Sequence, residues 1–152
     1  MSASCRILLP IGPDDPAQPT AAYAARVAGD NPSAQVILAH VLTDDPAAEL
    51  RSAATLGEAQ RWLKDAGVAT AVRPLAGKVG ETIAHEGADS DLIVLTNRAE
   101  AGGLAAGGSV SPRVEAIVRG TSCPILVATG AESAFQHPLF AYSGSVQSRR
   151  AV

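Results

Sequence analysis

Two hydrophobic periods take turns along this chain. Compact apolar runs, Arg6-Ile7-Leu8-Leu9-Pro10-Ile11, Gln35 to Leu42, Asp91-Leu92-Ile93-Val94-Leu95 and Cys123-Pro124-Ile125-Leu126-Val127-Ala128, read as buried strands. Val68 to Leu75 alternates apolar and polar residues instead, which predicts a strand with one face less buried, at an edge of its sheet. Between the runs the spacing becomes helical. From Thr20, Ala21, Ala24, Ala25 and Ala28 with Val27 mark one face, Pro19 stands near the start and Gly29 after the end. The four prolines between positions 10 and 19 predict no helix before Thr20. A second helix runs from about Ala47 to Ala66 with Leu50, Ala54, Glu58, Arg61 and Lys64 among its spacings and Gly67 as its C-cap. Gly57 inside it costs about 1 kcal/mol against Ala, which leaves two shorter helices open. A short helix spans Glu81 to His85 and stops near Gly87. The last spans Ser109 to Arg119, with Val110, Val114, Ile117 and Val118 on one stripe, Pro112 in its first turn and Gly120 at its end.

Five strands alternating with four helices predict right-handed βαβ units, hence an α/β fold of one doubly wound domain over residues 1–129: a parallel sheet with helices on both faces. A length of 152 residues fits one domain. Hydrophobic residues make up 47% but aromatic ones only 3%, so the core is built from Ala, Val, Leu and Ile. The formal net charge of -3 carries no basic footprint, which argues against nucleic-acid binding. No apolar run approaches the roughly 20 residues needed to span a bilayer, and residues 1–15 lack the pattern of a signal peptide, so the expectation is a cytoplasmic protein without a membrane partner. Residues 130–152, rich in Ser, Gly, Gln and Arg, read as a flexible C-terminal tail. They hold Phe135, Phe140 and Tyr142, three of the five aromatics, which keeps docking on the domain or on a second subunit open.

Taken together and in order, these residues resemble the universal stress protein family across about 6–129. Ile7-Leu8-Leu9-Pro10-Ile11 is similar to its opening strand, His40-Val41 to the end of its second, and Gly87-Ala88-Asp89 through Asp91-Leu92-Ile93-Val94 to the segment entering its fourth. Gly108-Ser109-Val110-Ser111 and Cys123-Pro124-Ile125-Leu126-Val127 resemble its last helix and strand. The resemblance implies the strand order 3-2-1-4-5 and a ligand site outside the carboxyl ends of the strands, at the switch point between the first and fourth. Gly12 to Asp15 and Thr96 to Ser109 meet there on that reading. It also implies a stress-response or regulatory role and a homodimer made by pairing the fifth strand, Cys123 to Ala128, whose exposed edge invites strand addition. In this order one strand separates Cys5 from Cys123, about 10 Å at ordinary strand spacing. That exceeds the roughly 7 Å a disulfide allows, so both are expected to be free buried thiols.

ATP is the cofactor that the resemblance implies, held by a glycine, two residues, a glycine, nine residues, then Gly followed by Ser or Thr. Glycines let backbone N–H groups approach phosphates, and the helix N-terminus adds partial positive charge. Here Gly108-Ser109 is intact, but the first glycine position is Thr96, the second is Ala99, and eight residues separate Ala99 from Gly108. Asn97, Arg98 and Val110 complete the loop. At the end of the opening strand, after Pro10 and Ile11, the family usually has an Asp that hydrogen-bonds the nucleoside; this chain has Gly12, with Asp14 the nearest acid considered as a substitute. Val41 remains as an apolar wall for an adenine. The motif is therefore degenerate, and retained ATP, another anion and a ligand-free interaction role stay open; for Ser109 and Arg98 the alternatives are a helix N-cap and a solvated loop residue.

Other chemistries have less behind them. A phosphoacceptor site needs an Asp after the third strand and a Lys after the fifth, where the chain has Leu75-Ala76 and Ala128-Thr129. Asp14-Asp15 with Asp44-Asp45 could gather a hard cation, although Asp before Pro is more often a turn or helix start. His40, His85 and His137 have no metal-ligand spacing, and no Gly-x-Ser-x-Gly elbow appears. A binding protein is favoured over an enzyme, with slow ATP hydrolysis or a nucleotide switch as the alternative.

Overall fold

The computed structural model describes residues 5–29, 31–96 and 111–128. Five strands, β1 (Cys5–Pro10), β2 (Ala34–Val41), β3 (Ala69–Leu75), β4 (Leu92–Thr96) and β5 (Ile125–Ala128), form one parallel sheet in the order β3-β2-β1-β4-β5. Four helices, α1 (Ala17–Ala28), α2 (Pro46–Asp65), α3 (Val79–Glu86) and α4 (Pro112–Gly120), cover its two faces. A 3-10 turn, Gly87–Asp89, follows α3.

Strand side chains alternate between two cores, as a sheet covered on both sides requires. Ile7, Leu9, Val36, Leu38 and Val94 pack with Ala21, Ala24 and Ala28 of α1 and Ala59 and Leu63 of α2. Leu8, Ile37, Ala39, Ile93 and Leu95 pack with Ile83 of α3 and Val114 and Ile117 of α4. β1 pairs with β2 along its whole length, from Cys5↔Ala34 to Pro10↔Ala39, but with β4 only at Ile7↔Leu92 and Leu8↔Ile93. β3 lies at an edge, with Ala69, Val72, Arg73 and Pro74 exposed. Pro74 is tolerated there because an edge strand has one unpaired side.

Several element boundaries differ from the sequence expectation, each for a local reason. α1 begins at Ala17, before Thr20, with Pro19 inside its first turn. The first four N–H groups of a helix have no intrahelical partner, so a proline there removes nothing. α2 runs unbroken through Gly57, its start fixed by Asp45, whose side chain accepts from the Ala47 N–H at 3.0 Å. Its end is a Schellman turn: Val68 N–H donates to Leu63 C=O and Gly67 N–H to Lys64 C=O, with Gly67 at φ 76°. The buried stripe of α2 is Ala48, Ser52, Ala59 and Leu63, while Leu50 is exposed. α3 extends from Val79 to Glu86, beyond the expected Glu81 to His85. α4 starts at Pro112, and its N-cap is Ser111, whose hydroxyl accepts from Val114 N–H at 3.3 Å. On α4 Val114 and Ile117 are buried, but Val118 is half exposed. β5 is shorter than Cys123 to Ala128, because Pro124 offers a carbonyl to Ile93 N–H but has no N–H of its own.

Cys5 and Cys123 are free, and both are only partly buried, not buried as expected. Desolvation, then the nearby Asp91 carboxylate, pushes both thiols up from their ordinary value. Neither is therefore a ready thiolate nucleophile. The loop residues Asn97 to Val110 and the tail 130–152 lie outside the described residues.

Candidate functional site

The parallel strands all end on one side of the sheet, and there a cleft of about 460 Å³ opens over β1 and β2. Its walls come from the turns that follow three strands and from two helices: Gly12 and Pro13 after β1, Val41 to Asp44 after β2, Gly77 to Val79 after β3, Ala48 and Ser52 of α2, and Arg113 of α4. Gly77 holds φ 127°, a conformation that side chains avoid, and so turns the chain from β3 into α3 at the rim.

The end of β1 is closed by a small network. Ile11 N–H donates to Ala39 C=O at 2.8 Å and fixes the strand end on β2. The chain then folds back, so that the Asp15 carboxylate accepts from Gly12 N–H at 2.6 Å and from the Arg113 guanidinium at 3.2 Å. The Asp15 side chain is 3% exposed, that of Arg113 30%. A Cβ placed on Gly12 would stand 3.1 Å from Arg113 Nη1 and 3.1 Å from Asp15 Oδ2, so the ion pair fills the space a side chain at position 12 would need. Asp14, the acid considered as a substitute from the sequence, points elsewhere: its carboxylate meets Arg51 Nε at 3.4 Å, both groups exposed.

The second wall is braced by His40. Its Nε2 lies 2.6 Å from Glu49 Oε1, and its Nδ1 3.4 Å from Ile11 C=O. Glu49 Oε2 also accepts from Thr43 N–H at 3.1 Å, so one carboxylate ties α2 to the end of β2. The His40 hydrogen bond, followed by the one from Thr43, holds the Glu49 carboxyl below its ordinary value.

Beneath the lip, Ser52 is fully buried, and its hydroxyl has no hydrogen-bond partner among the described residues. Two formal cations line the cleft, Arg113 and Lys78. Arg113 is paired with Asp15, and Lys78 meets Glu81 at 3.5 Å.

Of the residues singled out in the sequence, Gly12 and Val41 line the cleft, with Pro10 and Ile11 buried just behind Gly12. Thr96 ends β4 but does not line it; buried, it faces α1, its hydroxyl 3.5 Å from that of Thr20. Asn97, Arg98, Ala99, Gly108, Ser109 and Val110 lie outside the described residues. The N-cap role considered for Ser109 is taken in α4 by Ser111. Asp15, Ser52, Lys78 and Arg113 belong to the cleft and were not singled out for it. Ser52 alone left a usable signal, a polar residue inside the Ala48, Ala59, Leu63 stripe. No group of three or more His, Cys, Asp or Glu among the described residues is placed to hold a metal ion, and Asp45 serves as a helix cap. No helix among them is long and apolar enough to cross a membrane.

No family model matches the chain, and no curated protein matches it either. Solved structures do. The chain is similar to a universal stress protein from Archaeoglobus fulgidus, with a TM-score of 0.65 and 14% identity over 81% of this chain and 92% of that one. It is similar to a universal stress protein in complex with cAMP, with a TM-score of 0.60 and 22% identity over 85% of this chain and 100% of that one. A third is a universal stress protein family protein from Arabidopsis thaliana with AMP bound, with a TM-score of 0.53 and 15% identity over 81% and 90%. The chain thus has the doubly wound fold of universal stress proteins, at an identity that speaks for the fold alone.

Proposed function

We propose that this chain is a cytoplasmic stress-response or regulatory protein of the universal stress type, a homodimer that acts by binding and not by turnover, and in which the nucleotide motif is degenerate. The observation that carries this reading is the Asp15–Arg113 pair against Gly12. A nucleoside held at the end of β1 needs an acceptor there. Gly12 offers no side chain, and its N–H is already bonded to Asp15. An unmet polar edge on a ligand costs about 1–3 kcal/mol, or roughly tenfold or more in affinity. Thr96 and Ala99 in place of two loop glycines act in the same direction.

A second reading, an ATP-binding protein with slow hydrolysis or a nucleotide switch, is supported by the cleft with Val41 in its wall and by the cAMP and AMP held by two proteins of this fold. Analysis of protein purified without added nucleotide, followed by calorimetric titration with ATP and Mg²⁺, separates the two. The first reading expects nucleotide-free protein, no heat of binding at millimolar ATP and no phosphate release. Co-purified ATP, or turnover that Ser109→Ala abolishes, establishes the second instead.

A further inference from the structure

We infer that the cleft receives a neutral heterocycle of nucleoside size in preference to a phosphorylated one, and that Ser52 is the residue that reads it. This rests on the reading of the chain as a binding protein and assigns that site a ligand class.

The first ground is the unused hydrogen-bonding capacity. Ser52 Oγ is fully buried in the cleft wall with no partner among the described residues, although a buried hydroxyl is ordinarily bonded. A hydroxyl both donates and accepts, so it suits the polar edge of a neutral ring. Around it Pro13, Val41, Ala48 and Val79 supply apolar surface for the faces of such a ring, and the volume of about 460 Å³ lies within the range of small-molecule sites.

The second ground is charge. The groups facing the cleft or paired to its lining are two cations, Arg113 and Lys78, against three carboxylates, Asp15, Glu81 and Asp44. A phosphate could reach the Arg113 guanidinium only by displacing Asp15 or by sitting beside a buried carboxylate 3.2 Å from it, and like charges so close are strongly unfavourable. The vacancy is therefore for a hydrogen-bonding group, not for an anion.

Calorimetric titration of the full chain with adenosine, guanosine, uridine and ATP tests this. At least one nucleoside is expected to bind, and more tightly than ATP. Ser52→Ala is expected to weaken that nucleoside about tenfold, the cost of one unmet hydrogen bond, without lowering the melting temperature of the ligand-free protein. Asp15→Asn, which releases the charge of Arg113 and keeps the shape of the side chain, is expected to narrow the preference against ATP. ATP binding more tightly than all three nucleosides, or a Ser52→Ala titration unchanged from wild type, overturns the inference. So does a preference that Asp15→Asn leaves unmoved. Failure of every nucleoside to bind at millimolar concentration overturns it too, while the broader reading stands or falls separately, on ATP turnover.

Discussion

A buried hydroxyl with no partner destabilises the fold that contains it, and Ser52 Oγ is such a group. Ser52→Ala is therefore expected to stabilise the ligand-free protein by about 1 kcal/mol, seen as a higher urea midpoint at unchanged slope. A lower midpoint would mean that the hydroxyl is satisfied. Glu49 works in the opposite sense. Its carboxyl is held below its ordinary value by His40 and Thr43, so its folded-state pKa lies under the unfolded one. The stability this confers is present above the ordinary carboxylate range and is lost as pH falls through the folded value. Glu49→Gln is expected to melt below wild type at neutral pH, with the difference closing in acid; a difference that stays constant down to about pH 3 refutes the account. Gly12 and Val41 were legible in the sequence because strand ends are marked by where an apolar run stops. Asp15 and Arg113 were not, because their pairing spans 98 positions and exists only once α4 is laid beside the end of β1.

At the scale of elements, the pairing of α3 with α4 depends on small residues. A Cβ on Gly80 would lie 2.7 Å from Ala116 Cβ, and one on Gly120 2.8 Å from Ala84 Cβ. The two helices approach closely at both places. Gly80→Leu is expected to cost about 2 kcal/mol, since overpacking forces either an off-rotamer side chain or a shift of the helix. Chemical denaturation checks this, with Gly57→Ala as a control: a Cβ there meets nothing within 4 Å, and that change is expected to be neutral or stabilising. Periodicity read the type of every described element correctly and misjudged mainly their ends. α1 and α4 illustrate why. A helix start is decided by which groups satisfy its first N–H donors, and Pro19 and Ser111 each satisfy that requirement in a position that hydropathy does not register.

For the whole molecule, the free edge of β5 decides assembly. Ile93 N–H donates to Pro124 C=O, so by the alternation of a parallel ladder the N–H of Val127 faces away from β4. Val127→Pro removes a donor from the open edge and leaves the ladder to β4 in place. If the proposed homodimer pairs β5 with its symmetry mate, this variant is expected to sediment as a 15.4 kDa monomer with a folded far-ultraviolet spectrum, against a dimer for wild type. A wild-type monomer at high concentration would remove the dimer from the proposal.

The sequence by itself determined the layered architecture, because a strand covered on both faces must be apolar throughout and a helix covered on one side must repeat near every fourth residue. Together with the resemblance it also predicted the strand order and the end of the sheet where a ligand sits. Only the tertiary structure decided what stands at that end. Whether Gly12 faces a vacancy or an ion pair, and whether Ser52 is solvated or stranded, depends on distances between side chains from separate elements. No local pattern encodes those distances, since they arise from how α2 and α4 pack against a sheet whose strands are far apart in the chain.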